Sequence, residues 1–173
     1  MMYKTLFYLL NTHQVSYLVV GGIAVNLHGY IRATMDLDLI IHLEATNIQK
    51  FINAVSEGGL QPAIPVELSD LVDQQKREEW ISQKNLIAFP LRNITQSGEQ
   101  LDLILVHPLD FNAAYKNKKT VLIDKIPIHL MAIPDLIQMK SASARKRDQI
   151  DLEALHEIQR IQNDTHEKKQ LDC

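Results

Sequence analysis

Cysteine is nearly absent: Cys173 is the only one in 173 residues. No internal disulfide can form, so a disulfide-stapled scaffold is excluded. Glycine and proline number 6 each, which excludes collagen-like and low-complexity classes. Long apolar runs are missing as well. Stretches such as Tyr17 to Val20 and Leu103 to Val106 fall far short of the roughly 20 residues that span a bilayer. One Lys precedes Leu6 to Leu10 and no small-residue cleavage site precedes His13, so the N-terminus does not read as a signal peptide. A cytoplasmic protein with no membrane partner is expected. Charge of one sign is also scarce, because a net charge of −3 gives no global attraction for nucleic acid. Lys140, Arg145, Lys146 and Arg147 form one local cationic cluster. The 7 histidines show no zinc spacing, and Tyr3, Tyr8, Tyr17 and Trp80 do not interleave with basic residues as a base-stacking surface would.

What remains is an ordinary globular composition, 46% hydrophobic and 23% charged, long enough for one domain with a core. Tyr3, Leu6, Phe7 and Leu10 follow helical spacing. Tyr17 to Val20 reads as a short strand ended by Gly21-Gly22, and Ile23 to His28 as a short helix closed by Gly29. Leu37 to Leu43 is β-prone. Thr46-Asn-Ile-Gln49 has the form of a capping box, so a helix is expected from there to Gly58-Gly59. Pro62 and Pro65 predict a loop, followed by a helical segment over about Leu71 to Trp80. Strands are expected over Leu86 to Leu91 and Gln100 to Val106, joined across Ser97-Gly98. A shorter pair is expected over Thr120 to Ile123 and Pro127 to Leu130. Helices over about Pro134 to Ser141 and Arg145 to Ile161 follow. This order predicts an α+β fold with a single mixed sheet and helices mainly on one face. Residues 1–161 form one domain in this reading, and 162–173 a polar C-terminal tail.

The chemistry is concentrated in Gly21-Gly22, in Arg32-Ala-Thr-Met-Asp-Leu-Asp38, and in Leu101-Asp-Leu-Ile104. Strand side chains alternate, so Asp36 and Asp38 share one face while Leu37 and Leu39 face the core. Asp102 lies in the same alternation and can project from a neighbouring strand to the same place. Three close carboxylates repel each other unless a cation is shared among them. Magnesium suits oxygen ligands and completes its shell with water and substrate phosphates, and two such ions can serve an in-line phosphoryl displacement. Gly21-Gly22 permits close backbone approach to a phosphate, and the following helix N-terminus presents unpaired N–H groups.

Strand, Gly-Gly turn, Asp-x-Asp and a distant third acid together resemble the nucleotidyltransferase superfamily. Gly21-Gly22, His28-Gly29, Arg32, Thr34 and Asp36-Leu-Asp38 look more narrowly like its abortive-infection toxin group. The resemblance implies a mixed-sheet nucleotidyltransferase fold with flanking helices and a C-terminal helical segment. It further implies metal-dependent transfer of a nucleoside monophosphate from a triphosphate, ATP among the candidates, to a hydroxyl, with release of pyrophosphate. Asp36 and Asp38 would hold magnesium, expected as two ions, and Asp102 would help hold one and activate the acceptor. Gly21, Gly22, Arg32, Thr34 and Lys140 would bind the nucleotide. The acceptor could be tRNA or other RNA, a partner protein or a small molecule, and a toxin–antitoxin role follows from the resemblance. Many transferases of this fold carry Ser second in the glycine turn, where this chain has Gly22. Lys140 to Asp148, with Asp151 and Leu152, is similar to a basic-then-acidic motif of the toxin group. Asp151 shares an apolar helix stripe with Leu155 and Ile158, so it needs a partner. Lys140 or Arg32 could supply one, as an oriented cation or as a structural ion pair. Two alternatives stand beside the enzyme: a non-catalytic module of the same fold binding nucleotide, RNA or protein, and a sugar-nucleotide glycosyltransferase using Asp36-Leu-Asp38.

Overall fold

In the computed structural model, residues 3–94, 99–143 and 146–171 are described. One mixed sheet organises them. Its strands are β1 (Tyr17–Val20), β2 (Leu37–Ile41), β3 (Leu60–Pro62), β4 (Ala88–Asn93), β5 (Gln100–Ile104), β6 (Lys119–Ile123) and β7 (Ile126–Leu130), in the spatial order β3-β4-β5-β2-β1-β7-β6. β1 pairs antiparallel with β2 and parallel with β7, whereas β2 pairs parallel with β5. The α+β fold and the single mixed sheet agree with the expectation.

The helices are α1 (Lys4–Thr12), α2 (Gly21–His28), α3 (Ala45–Glu57), α4 (Gln74–Lys84), α5 (Phe111–Lys116), α6 (Ile133–Ser141) and α7 (Lys146–Leu171). α1 packs on α3 and on β7, and α7 packs on α6 and α2. All four residues of β1 are buried, as befits a strand near the middle of the sheet. Along β4 and β5 the alternation is strict. Phe89, Leu91, Leu101 and Leu103 are fully buried, while Ala88, Pro90, Gln100, Asp102 and Ile104 are half-buried. That half of the sheet therefore carries its core on one face and leaves the other open, the usual economy of antiparallel pairing.

Several local expectations change. The helix after β2 begins at Ala45 with Glu44 at its N-cap, without a side-chain cap. Thr46 is therefore inside it rather than capping it. Asn47 explains the shift: its Oδ1 accepts Ser16 N–H at 2.8 Å and its Nδ2 donates to His42 O at 2.9 Å, tying the helix start to the ends of the strands. Pro62 lies in edge strand β3, where a missing N–H is tolerated, rather than in a loop. The segment expected over Leu71 to Trp80 divides into a 3-10 turn (Leu68–Val72) and α4. Asp73 caps α4 by accepting N–H bonds from Gln75 and Lys76. The expected turn at Ser97-Gly98 and the helix start at Arg145 lie outside the described residues. α7 continues beyond Ile161 to Leu171, into the segment read as a polar tail. Among the described residues, no helix is long and apolar enough to cross a membrane.

Candidate active site

β1 ends at Val20, and Gly21 turns the chain into α2 with a φ of 63°. That left-handed conformation suits glycine. A side chain is also excluded there, because a Cβ on Gly21 would lie 1.8 Å from Asp38 Oδ2. The Asp38 carboxylate thus rests on the glycine turn, where the Gly22 N–H donates to it. Gly22 is closed from another direction. A Cβ there would come within 2.6 Å of Thr34 Oγ1 and 2.8 Å of Arg32 Nη2. Gly22, the point of departure from the serine pattern, therefore has a steric reason in this chain: the Thr34 hydroxyl and the Arg32 guanidinium fill the space a side chain would need.

The approach to β2 delivers those groups by simple alternation. Arg32 and Thr34 are half-buried, and Ile31, Ala33 and Met35, which alternate with them, are exposed. Asn26 fixes the segment: its Nδ2 donates to Arg32 O at 2.9 Å and its Oδ1 accepts Arg32 N–H at 3.0 Å.

In the ladder Asp38 stands opposite Val20 on one side and Asp102 on the other. Side chains in register on paired strands, about 4.8 Å apart, project to the same side. Asp38 and Asp102 are therefore neighbours on one face. Asp36, two residues before Asp38, belongs to that face at its exposed rim. Burial first, and then the negative charges of Asp102 and Asp36, push the Asp38 carboxyl up to about 6, while Lys140 and the Gly22 N–H act in the opposite sense. Asp102 is also raised, by burial first and by Asp36, against a hydrogen bond from Gln100 and the charge of Arg92.

Beside this row lies a second charged cluster. Asp151, fully buried on α7, accepts Arg32 Nε at 2.7 Å and Nη2 at 2.9 Å, a bidentate pair, and Lys140 Nζ at 2.6 Å. Lys140 also donates to Asp148 at 2.9 Å, and the Ser143 hydroxyl donates to Asp148 at 2.6 Å. Both cations considered as partners for Asp151 are bound to it. The cluster joins α6, α7 and the approach to β2.

No family model matches the chain, and no curated protein matches its sequence. Solved structures do. The chain is similar to the lincosamide antibiotic adenylyltransferase LnuA with lincomycin bound, at TM-score 0.57 and 18% identity over 90% of this chain and 96% of that one. The fold is that of the nucleotidyltransferases. ANT(2″)-Ia in complex with adenylyl-2″-tobramycin aligns at TM-score 0.52 and 9% identity, over 95% of each chain. An antigenic nucleotidyltransferase-like protein from Paracoccidioides brasiliensis aligns at TM-score 0.52 and 16% identity, over 88% of this chain and 71% of that one.

Within this fold the structure brings Gly21, Gly22, Arg32, Thr34, Asp38 and Asp102 together, with Asp36 at the rim and Lys140 close enough to act on the Asp38 charge. Among the described residues, no group of three or more His, Cys, Asp or Glu side chains is arranged to hold a metal ion unaided. Magnesium needs only one or two protein carboxylates when phosphates and water complete its shell. Asp38 and Asp102, side by side and pushed toward protonation by burial and by neighbouring carboxylate charge, fit that requirement. Two cavities, about 440 and 450 Å³, open elsewhere, beside Leu60 and beside Phe111. Neither includes a predicted site residue, and the acid row lies on the open sheet face instead. Of the histidines, His28 donates from Nε2 to Met131 O at 2.8 Å, and His42 stacks on Phe111.

Asp148 is the site-proximal residue whose contact sequence reasoning left unassigned. Its signal was present: i to i−8 spacing from Lys140 across a helix junction, with Ser143 between.

Proposed function

We propose that this chain is a magnesium-dependent nucleotidyltransferase that moves a nucleoside monophosphate from a triphosphate to an acceptor hydroxyl. The observation that carries the reading is the register of Asp38 with Asp102, on one face, against the glycine turn at the start of α2. The similarity in fold to adenylyltransferases supports it.

Charge balance supports the metal. Arg32 and Lys140 are ion-paired with Asp151 and Asp148, and among the described residues Asp36, Asp38 and Asp102 have no ion-pair partner of their own. A bare triphosphate would be repelled from such a place. Asp36 and Asp38 are the proposed ligands of the nucleotide-bearing magnesium, with Asp102 serving a second ion. Bound there, magnesium would neutralise phosphate charge and acidify the acceptor hydroxyl. The chain's own groups do the rest. Arg32 spends three of its five N–H donors on Asp151 and Ala33 O, and it keeps the others for phosphate beside Gly22. The Thr34 hydroxyl and the α2 N-terminus are further donors. Asp102 receives the acceptor proton as the acceptor oxygen bonds to the α-phosphorus and the bond to the bridging oxygen breaks, releasing pyrophosphate.

ATP is the expected nucleotide, since the names of LnuA and of the ANT(2″)-Ia complex specify adenylyl groups. The acceptor we favour is a small hydroxylated molecule of the kind bound in those structures, in the cytoplasm, where triphosphate and magnesium are both abundant. The motif similarity to abortive-infection toxins favours a second reading, in which the acceptor is tRNA or a partner protein. The test incubates the protein with α-labelled triphosphates and magnesium, together with an aminoglycoside and lincosamide panel, total tRNA, or cell protein. Label in one pool with stoichiometric pyrophosphate is the expected result, and the labelled pool identifies the acceptor. Magnesium-dependent nucleotide binding without pyrophosphate from any pool would favour the non-catalytic module. Absence of such binding would overturn the proposal.

A further inference from the structure

The ladder between β2 and β5 runs outward as far as Leu37 opposite Leu101. Just beyond it, where Asp36 leaves the sheet, the two chains are joined by a side chain from elsewhere. The Tyr3 hydroxyl faces the carbonyls of Met35 and Gln100, the latter at 2.8 Å, and shares its single proton between them. It also accepts the Gln100 N–H at 3.3 Å. The Met35 carbonyl belongs to the peptide group that carries the Asp36 N–H, and the Gln100 carbonyl to the peptide just before Leu101-Asp102. One phenol therefore sets the distance between the backbone bearing Asp36 and the backbone bearing Asp102.

The rest of Tyr3 is held as a fixed post. The residue is 2% exposed, and its backbone N–H donates to Glu99 Oε1 at 3.2 Å. Its φ of 66° places a bulky residue in the left-handed region, a conformation that persists only where the surroundings over-determine it. Its carbonyl accepts the Phe7 N–H at 3.0 Å and so starts α1. An ordinary helix cap would need none of the phenol's contacts with the acid-bearing strands.

The geometry points to Tyr3 as a positioning residue for the carboxylates, the N-terminal clamp that keeps Asp36 and Asp102 at the spacing a shared magnesium–phosphate centre requires. The inference rests on the transferase reading for its metal half and on contacts alone for its clamp half. Tyr3→Phe tests it, because phenylalanine keeps the ring and loses only the hydroxyl. Tyr17→Phe is the matched control: it deletes another buried hydroxyl, 3.3 Å from Pro127 O, at the opposite end of β1 from the Asp38 pairing. Two readouts are used. In hydrogen exchange without ligand, Tyr3→Phe should speed deuterium uptake in residues 33–38 and 100–102, and Tyr17→Phe should not. In calorimetric titration of magnesium in the presence of a nucleoside triphosphate, Tyr3→Phe should weaken apparent metal affinity about 10- to 100-fold, the usual cost of losing a group that orients a metal ligand. Tyr17→Phe should leave that affinity unchanged. Unchanged exchange in Tyr3→Phe overturns the clamp. Altered exchange with unchanged metal affinity overturns its role toward the acids. A wild type with no magnesium-dependent nucleotide binding sinks the transferase reading and this metal role together, and the exchange data still decide the clamp.

Discussion

Two groups of carboxylates lie within reach of each other in this molecule, and they are treated in opposite ways. Asp151 is buried completely, yet three charge-assisted hydrogen bonds from Arg32 and Lys140 satisfy it. Asp38 is less deeply covered but has another carboxylate in register beside it, and its strongest compensations are a backbone N–H and the more distant Lys140 charge. A fold can bury a charge when it supplies the partner itself. Where it gathers like charges without a partner, a ligand is the remaining source of compensation. That contrast separates a self-satisfied ion cluster from the acid row proposed to take a ligand.

The comparison breaks most visibly at Asp151. Asp151→Ala leaves Arg32 and Lys140 without their shared counter-ion, and removing one member of a buried pair costs about 3–5 kcal/mol. For a domain of this size that corresponds to a fall in melting temperature on the order of 10 °C. Differential scanning calorimetry of the ligand-free protein would measure it. A change of less than about 1 kcal/mol would mean that the cluster is not a structural ion network. The same logic revises the expectation for Lys140: its substitution must first be read for stability, since the ammonium already serves two carboxylates.

Next in size is the response of the acid row to the proposed ligand. Mg-ATP at a hundredfold excess over its dissociation constant should stabilise the protein by about 2.7 kcal/mol. EDTA should abolish the gain, and ATP without metal should give none. A triphosphate-dependent shift of equal size in EDTA would count against the carboxylate site.

Much of this contrast is readable in the sequence, for different reasons at different residues. Asp36, Asp38 and Asp102 each sit between apolar neighbours in a β-prone run, and period-two alternation assigns their face without knowledge of the fold. Their pairing is another matter. That β2 pairs with β5 depends on contacts more than 60 residues apart along the chain, which no local pattern encodes. The position of Asp151 on an apolar stripe shows that it needs a partner, but only the packing of α7 on α2 and α6 gives it both cations at once. α5 is not legible in the sequence, because Phe111–Lys116 is too short to show a helical period; its one local signal is the cap at Asp110, which accepts the Ala113 N–H at 2.7 Å. Strand β3 was hidden by Pro62, whose effect depends on whether the strand lies at an edge.

A smaller effect comes from protons acting in place of metal. Asp38 holds its proton more tightly folded, at about 6, than at the ordinary value of 3.8. The ligand-free native state therefore binds more protons than the unfolded chain between those values, and stability should fall as pH rises through that window. Asp102, also raised, acts in the same sense. Asp38→Asn should remove the larger part of this slope. Chemical denaturation of wild type and variant from pH 4 to 7 should show a difference on the order of 1–2 kcal/mol, largest at neutral pH and in favour of the variant. Metal reverses the preference. Mg-ATP affinity should weaken as pH falls through about 6, because protons and magnesium compete for the same oxygens.

The smallest effect on stability and binding, and the most discriminating on chemistry, is expected at Asp102. It is half-buried on the open face of the sheet, and its charge is one of the causes that push Asp38 toward protonation. Asp102→Asn removes that repulsion, keeps the side chain's shape and still offers an oxygen to the Gln100 neighbourhood. Folding should be preserved, and Asp38 should ionise more readily. Nucleotide affinity should therefore stay near the wild-type value or rise slightly, whereas Asp36→Asn and Asp38→Asn should lose magnesium-dependent binding and transfer together. The loss in Asp102→Asn should appear in the transfer step, by about 10²–10⁴-fold, the range associated with a group that handles a proton in the transition state. Nucleotide titration and single-turnover transfer, run side by side on the three variants, separate the roles. Near-wild-type transfer by Asp102→Asn would remove Asp102 from the mechanism. Unchanged nucleotide binding in all three variants would detach the acid row from the nucleotide altogether, and the open face of β4 and β5 would need a different ligand.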